Sequence, residues 1–78
     1  MSFSSELVEE LNVLAQYNLS TTQEGIKVHQ NTASGSVQLA VKRLFDKGLI
    51  TQDDGGYLTT LGRDAAEHAQ GALAILNS

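Results

Sequence analysis

No cysteine occurs in this chain of 78 residues, and that absence constrains its fold more than any other feature. No disulfide can hold the chain together. In chains this short the hydrophobic gain barely exceeds the ordering cost, about 1.5 kcal/mol per residue. A structural metal is not expected to stand in for the missing cross-links. His29 and His68 are the only histidines, and there is no HExxH pattern or cysteine-based ligand set. Packed helices or self-association must therefore supply the margin. Aromatic residues make up only 5% of the chain and there is one Met, which leaves the core to Leu, Val, Ile and Ala. One domain spanning 1–78 is expected. The longest apolar run is five residues, Ala72 to Leu76, too short to span a membrane. The N-terminal residues carry Glu6, Glu9 and Glu10 where a signal peptide would carry Lys or Arg, so the expected location is cytoplasmic.

Periodicity orders the elements. Leu7, Val8, Leu11, Leu14 and Ala15 repeat at helical spacing over about 4–17. Ser4 is the expected cap of this helix, and Phe3 with Val8 would form a hydrophobic staple. Thr21-Thr22-Gln23-Glu24 reads as a capping box opening a short helix through about Val28, with Ile26 facing inward. The polar run from His29 to Gly35 reads as a turn. A third helix, about 33–47, places Val37, Ala40, Val41, Leu44 and Phe45 on one stripe and stops at Gly48. Leu49 to Gln52 and Tyr57 to Thr59 flank Asp53-Asp54-Gly55-Gly56, which predicts a hairpin. A three-residue loop at 54–56 is the expected register, with Gly56 left-handed and Ile50 and Leu58 on the same face. Thr59 or Thr60 caps a last helix to about Leu76, with a stripe of Leu61, Ala65, Ala69, Ala72, Leu73 and Leu76. His68 beside that stripe reads as a partly buried core histidine. Ile75 lies off the stripe and makes the C-terminal end apolar on more than one side, which reads either as a frayed end of a monomer or as half of a homodimer interface through this helix.

Charge is unevenly distributed. The net charge is −4, but residues 27–47 hold Lys27, Lys42, Arg43 and Lys47 against Asp46 alone. Four of the five basic residues thus fall in about a quarter of the chain, flanked on both sides by acid. Such a segment suits a local anionic contact, although a solvated helix face would read the same way.

The order helix, helix, turn, helix, hairpin, helix is that of a winged helix-turn-helix: mainly α, four helices plus a two-stranded wing. The segment from Ser36 to Ile50 ends in Lys42-Arg43-Leu44-Phe45-Asp46-Lys47-Gly48-Leu49-Ile50. It resembles the junction between recognition helix and wing in winged-helix DNA-binding domains, including the MarR-like regulators. Leu58-Thr59-Thr60-Leu61-Gly62-Arg63 resembles the stretch that leads such wings into the next helix. With the preceding helix, the resemblance covers residues 21–68. The whole chain is also similar to a small group of stand-alone bacterial proteins described as DNA-binding and without known function. The resemblance implies a transcription-related protein that binds duplex DNA through helix 33–47.

On that reading Ser34, Ser36, Gln38 and Lys42 point outward. Gln38 can hydrogen-bond adenine, and the serines suit a base or a phosphate. Lys42, Arg43, Lys47 and Lys27 are candidate backbone contacts, which give affinity and orientation rather than sequence choice. Ser34 and Ser36 equally suit a helix cap. Arg63 suits either a phosphate or an ion pair with Asp64 or Glu67. Leu39 on the exposed side and the acidic wing tip at Asp53 and Asp54 depart from the DNA-binding pattern. They favour the alternative, a winged-helix module that binds another protein. No catalytic constellation is present, no cofactor or small-molecule pocket is implied, and no enzyme is expected.

Overall fold

The computed structural model describes residues 2–21, 25–27 and 34–78. Along the chain run α1 (Ser5–Leu14), β1 (Ile26–Lys27), α2 (Gly35–Asp46), β2 (Ile50–Gln52), β3 (Gly55–Leu58) and α3 (Thr60–Leu76). The chain is mainly helical with an antiparallel hairpin, and the described residues form three helices rather than the four expected.

Each helix begins where a short hydroxyl side chain can satisfy an otherwise unpaired amide. The Leu7 N–H donates to Ser4 Oγ at 3.1 Å and the Val37 N–H to Ser34 Oγ at 3.3 Å. The Gly62 N–H donates to Thr59 Oγ1 at 3.0 Å. α2 ends where expected, with Gly48 at a φ of +80°.

The core is where the three helices and the hairpin meet. Val13, Leu14 and Tyr17 come from α1 and its exit, Ala40, Val41 and Leu44 from α2, Ile50 from β2 and Ala66 from α3. Tyr17 is buried and its hydroxyl donates to the Gly56 carbonyl at 3.3 Å, tying α1 to the sheet. Burial pushes its phenol pKa up to about 12. Gln70 of α3 donates its amide to the carbonyls of Leu14 at 3.1 Å and Tyr17 at 2.7 Å. It thus adds a side-chain donor to two carbonyls at the exit of α1.

Four expectations change. Ile26 and Lys27, placed in a helix over 21–28, instead form a strand that pairs antiparallel with β3, Ile26 opposite Gly56 and Lys27 opposite Gly55. The sheet therefore has three strands in the order β1-β3-β2 rather than two. The cause is long-range: β3 would otherwise present an unpaired edge, and its two glycines allow close approach. Residues 22–24 of the capping box, Val28 and positions 29–33 of the expected turn lie outside the described residues.

The hairpin register also differs. Gln52 pairs with Gly55 around Asp53-Asp54, and a bulge between this pair and Ile50–Leu58 brings the two apolar residues directly opposite each other. Gly56 is left-handed as expected, at a φ of +74°, but it serves the bulge. A Cβ there would overlap Thr51 Oγ1, the same hydroxyl that accepts the Tyr57 N–H at 2.9 Å.

α3 is rotated relative to its expected stripe. Gly62 and Ala66 are its buried residues, while Leu61 is exposed and Ala65 and Ala69 are half-buried. The reason is the approach of its first turn to Leu49, whose carbonyl accepts the Thr59 N–H at 3.0 Å. A Cβ on Gly62 would overlap that same carbonyl oxygen. Only glycine lets α3 lie this close. Phe45, expected on the buried stripe of α2, stays 41% exposed because Ala40, Val41 and Leu44 already fill the inner face.

Gly62→Ala should therefore lower the melting temperature, with an overpacking cost of about 1–3 kcal/mol, even though alanine is the better helix former. Gly71, also within α3, has open space where a Cβ would be. Gly71→Ala should leave stability unchanged or raise it by up to about 1 kcal/mol. Thermal unfolding of the two variants side by side checks this pair.

Candidate nucleic-acid interface

α2 lies against α1 and β2 by its inner face. Residues 35, 39, 42 and 46 recur at helical spacing, and Gly35, Leu39, Lys42 and Asp46 are all exposed. This outward face carries one positive and one negative charge. Gln38 and Phe45 border it, half-buried and 41% exposed respectively.

The N-terminal serines are exposed and hold each other as well as the helix. Ser34 caps α2, and its hydroxyl lies 3.1 Å from that of Ser36. The capping role considered for Ser34 is thus present. Lys42 is exposed and has no carboxylate partner among the described residues. Lys27 lies in β1, next to the hairpin strand β3.

Arg43 and Lys47 are placed differently from Lys42. They are four residues apart on the flank of α2 that faces α1, where Glu10 is 5% exposed. The Arg43 Nε donates to Glu10 Oε2 at 2.8 Å, and Lys47 Nζ donates to Glu10 Oε1. Arg43 also donates to the Glu6 carbonyl at 3.2 Å and lies 3.8 Å and 3.7 Å from the carboxylates of Glu6 and Glu9. Burial works against the charge on Glu10. The hydrogen bonds from Lys47 and Arg43 outweigh it and hold the carboxyl below its ordinary pKa. The hydrogen bond to Glu10 in turn raises the pKa of the Arg43 guanidinium.

The third arginine or lysine with an internal role is Arg63, which donates to the Leu19 carbonyl. The pair with Asp64 or Glu67 considered for it is not among the ion pairs of the described residues. His68 is also not a core residue. It is 83% exposed at the side chain and lies 3.6 Å from Asp64, one helical turn earlier. Three of the five basic residues thus brace the fold. Of the sequence-predicted set, Ser34, Ser36 and Lys42 are exposed on α2 and at its start, Gln38 is half-buried beside them, and Arg43 and Lys47 hold α1.

Sequence reasoning missed the role of Glu10. A signal was present: Glu6 and Glu10 are four apart, as are Arg43 and Lys47, so each pair lies on one helix face.

A family model matches residues 1–77, almost the full length. The chain belongs to DUF5669, a family of unknown function. No curated protein matches it, and neither does any solved structure. Membership of DUF5669 brings no chemistry with it, so the side-chain geometry above carries the functional argument. Among the described residues, no helix is long and apolar enough to cross a membrane.

Glu10→Gln should cost about 2 kcal/mol at neutral pH, because the charge-assisted hydrogen bonds lose their acceptor charge. Glu10 has a lowered folded-state pKa, so its contribution is complete above the unfolded value of about 4.3 and is lost as pH falls through the folded value. The stability gap between the native protein and the Gln variant should stay constant down to about pH 5 and close below it. Urea unfolding across that range measures it.

Proposed function

We propose that this chain is a winged-helix protein that binds duplex DNA, with α2 entering the major groove and the β2–β3 hairpin serving as its wing. The observation that carries the reading is the outward surface of α2. Exposed Ser34, Ser36 and Lys42, with half-buried Gln38 at its border, form a polar surface on a helix whose opposite face is fixed in the core. An α-helix fits the major groove, and the residues near its N-terminus are those that reach base edges. The resemblance of residues 36–50 and 58–63 to winged-helix regulators supports the same reading.

Charge sets how such binding would work. With Arg43, Lys47 and Arg63 holding protein groups, α2 brings Lys42 to phosphate, and Lys27 is the second backbone contact that the sequence offers. Proteins with steep salt dependence make about 6–10 phosphate contacts. Two lysines give a slope of log affinity against log salt of about −2 for one copy, and about −4 for two. The acidic tip at Asp53 and Asp54 is kept off the backbone by repulsion. The wing then supports α2 rather than clamping the minor groove.

A second reading, a protein-binding module, is favoured by a separate observation. Leu39 is 58% exposed at the centre of an outward face that carries no net charge, and Phe45 stands at its border. An apolar residue with balanced charges around it suits a protein surface as well as a thymine methyl.

Fluorescence anisotropy with a mixed-sequence duplex, across a salt series, tests the proposal. Lys42→Ala should weaken binding and make the salt slope shallower by about 1 per copy, with an unchanged melting temperature. Arg43→Ala should lower the melting temperature and leave the slope of the folded protein almost unchanged. Absence of binding at low salt would overturn the DNA reading. A folded Leu39→Asp variant that loses a captured protein partner would then support the second.

A further inference from the structure

Five of the ten large apolar side chains left exposed among the described residues, Phe3, Val8, Leu73, Ile75 and Leu76, lie on α1, its approach and the end of α3. Phe3 and Ile75 are each 75% exposed and Leu76 is 81% exposed, while Leu73 and Val8 are close to half exposed. Every residue from 71 to 78 is exposed. Beside this projecting end, α1 and α3 leave a groove of about 550 Å³, walled by Phe3, Val8, Leu11, Ala69, Leu73 and Leu76.

Three observations indicate what covers it. The first is extent. The exposed apolar set runs from Phe3 and Val8 at α1 to Leu73, Ile75 and Leu76 at the end of α3, so it spans two helices rather than one protruding side chain.

The second is charge. No Asp, Glu, Lys or Arg follows Glu67 in the chain. The groove's polar groups are Asn12 and His68, with His68 facing Asp64 of its own helix. The acids of α1, Glu6, Glu9 and Glu10, are turned instead toward Arg43 and Lys47. A second copy meets no like charge here, and a basic or acidic partner meets nothing to pair with.

The third is shape. The same end of one copy carries both a groove and a projecting apolar ridge, Ile75 with Leu76. That is the self-complementarity a two-fold interface requires, because residue i meets j and j meets i.

We propose that two copies of this chain pair through the α1–α3 groove. The last turns of α3 run antiparallel to those of the partner, and Ile75 of each copy enters the groove of the other. The surface is thus wider than the C-terminal helix alone, because Phe3 and Val8 form one of its walls. The pairing does not depend on DNA binding, since it uses none of the outward residues of α2.

Sedimentation velocity tests the pairing without DNA. The native chain should sediment at twice 8.3 kDa. Ile75→Asp should halve that mass with an unchanged far-UV circular dichroism spectrum, and Leu76→Lys should do the same by an independent change. Leu39→Asp should leave the dimer intact. The chain has no native cysteine, so a spin label can be placed at Ser78→Cys alone. Mixed with isotope-labelled native protein, it should broaden amides within 8–15 and 65–73 of the partner copy. A native chain that stays monomeric at its highest soluble concentration would overturn the proposal. So would a dimer that survives both α3 substitutions, a dimer broken by Leu39→Asp, or a monomer whose groove holds a co-purified apolar compound in native mass spectrometry.

Discussion

Glu10 is a carboxylate buried between two helices, and the placement of α2 depends on it. Taking such a charge out of water costs several kcal/mol unless charged partners and hydrogen bonds compensate. Arg43 and Lys47 provide them, one to each carboxylate oxygen. A buried ion pair of this kind adds little net stability compared with an apolar packing. What it does add is geometry, because α1 and α2 can satisfy it in one axial register. The rest follows along the chain: α2 ends at Gly48, and the Leu49 carbonyl accepts the Thr59 N–H. Thr59 Oγ1 bonds the Gly48 carbonyl at 2.7 Å while capping α3. Gly62 then lets α3 lie against the same carbonyl of Leu49.

That arrangement divides the basic segment into two populations. Read as composition, residues 27–47 are a cationic stretch suited to an anion. In the fold, Arg43 and Lys47 turn toward the acids of α1, and Lys42, on the outward face, turns away from them. The dipolar pattern of the sequence, acid before base, is therefore largely satisfied within the molecule. A DNA-binding role then rests on polar contacts near the start of α2 and a small number of phosphate contacts. It benefits from two copies presenting two such helices.

Much of the local structure was legible because it is written in short-range chemistry. Ser4, Ser34 and Thr59 cap the helices they precede in sequence, and Gly48 ends α2, all within one helical turn of the groups they satisfy. The apolar spacing of Val37, Val41 and Leu44 likewise reads directly as an inner face. The strand at Ile26–Lys27 was not legible, because its partner β3 lies nearly thirty residues away. A capping-box pattern nearby points to a helix when only local spacing is weighed. The rotation of α3 was hidden for a similar reason. Leu61 looks like a core residue until the contact between Gly62 and Leu49 fixes which side faces inward. For the candidate site, the outward set on α2 follows from periodicity alone. The pairing of Arg43 and Lys47 with Glu10 needed the tertiary contact between α1 and α2, since charge totals by segment carry no information about facing.

The account is tested most directly by an amide-resolved NMR titration of the native chain with a mixed-sequence duplex at low and then physiological salt. Shifts at residues 34–46, fading as salt rises, with the hairpin tip at 53–54 unmoved, are the predicted result. The amides of the α1–α3 groove should stay where they are. No shifts at low salt, or shifts confined to α1 and the end of α3, would contradict the proposal that the outward face of α2 meets DNA.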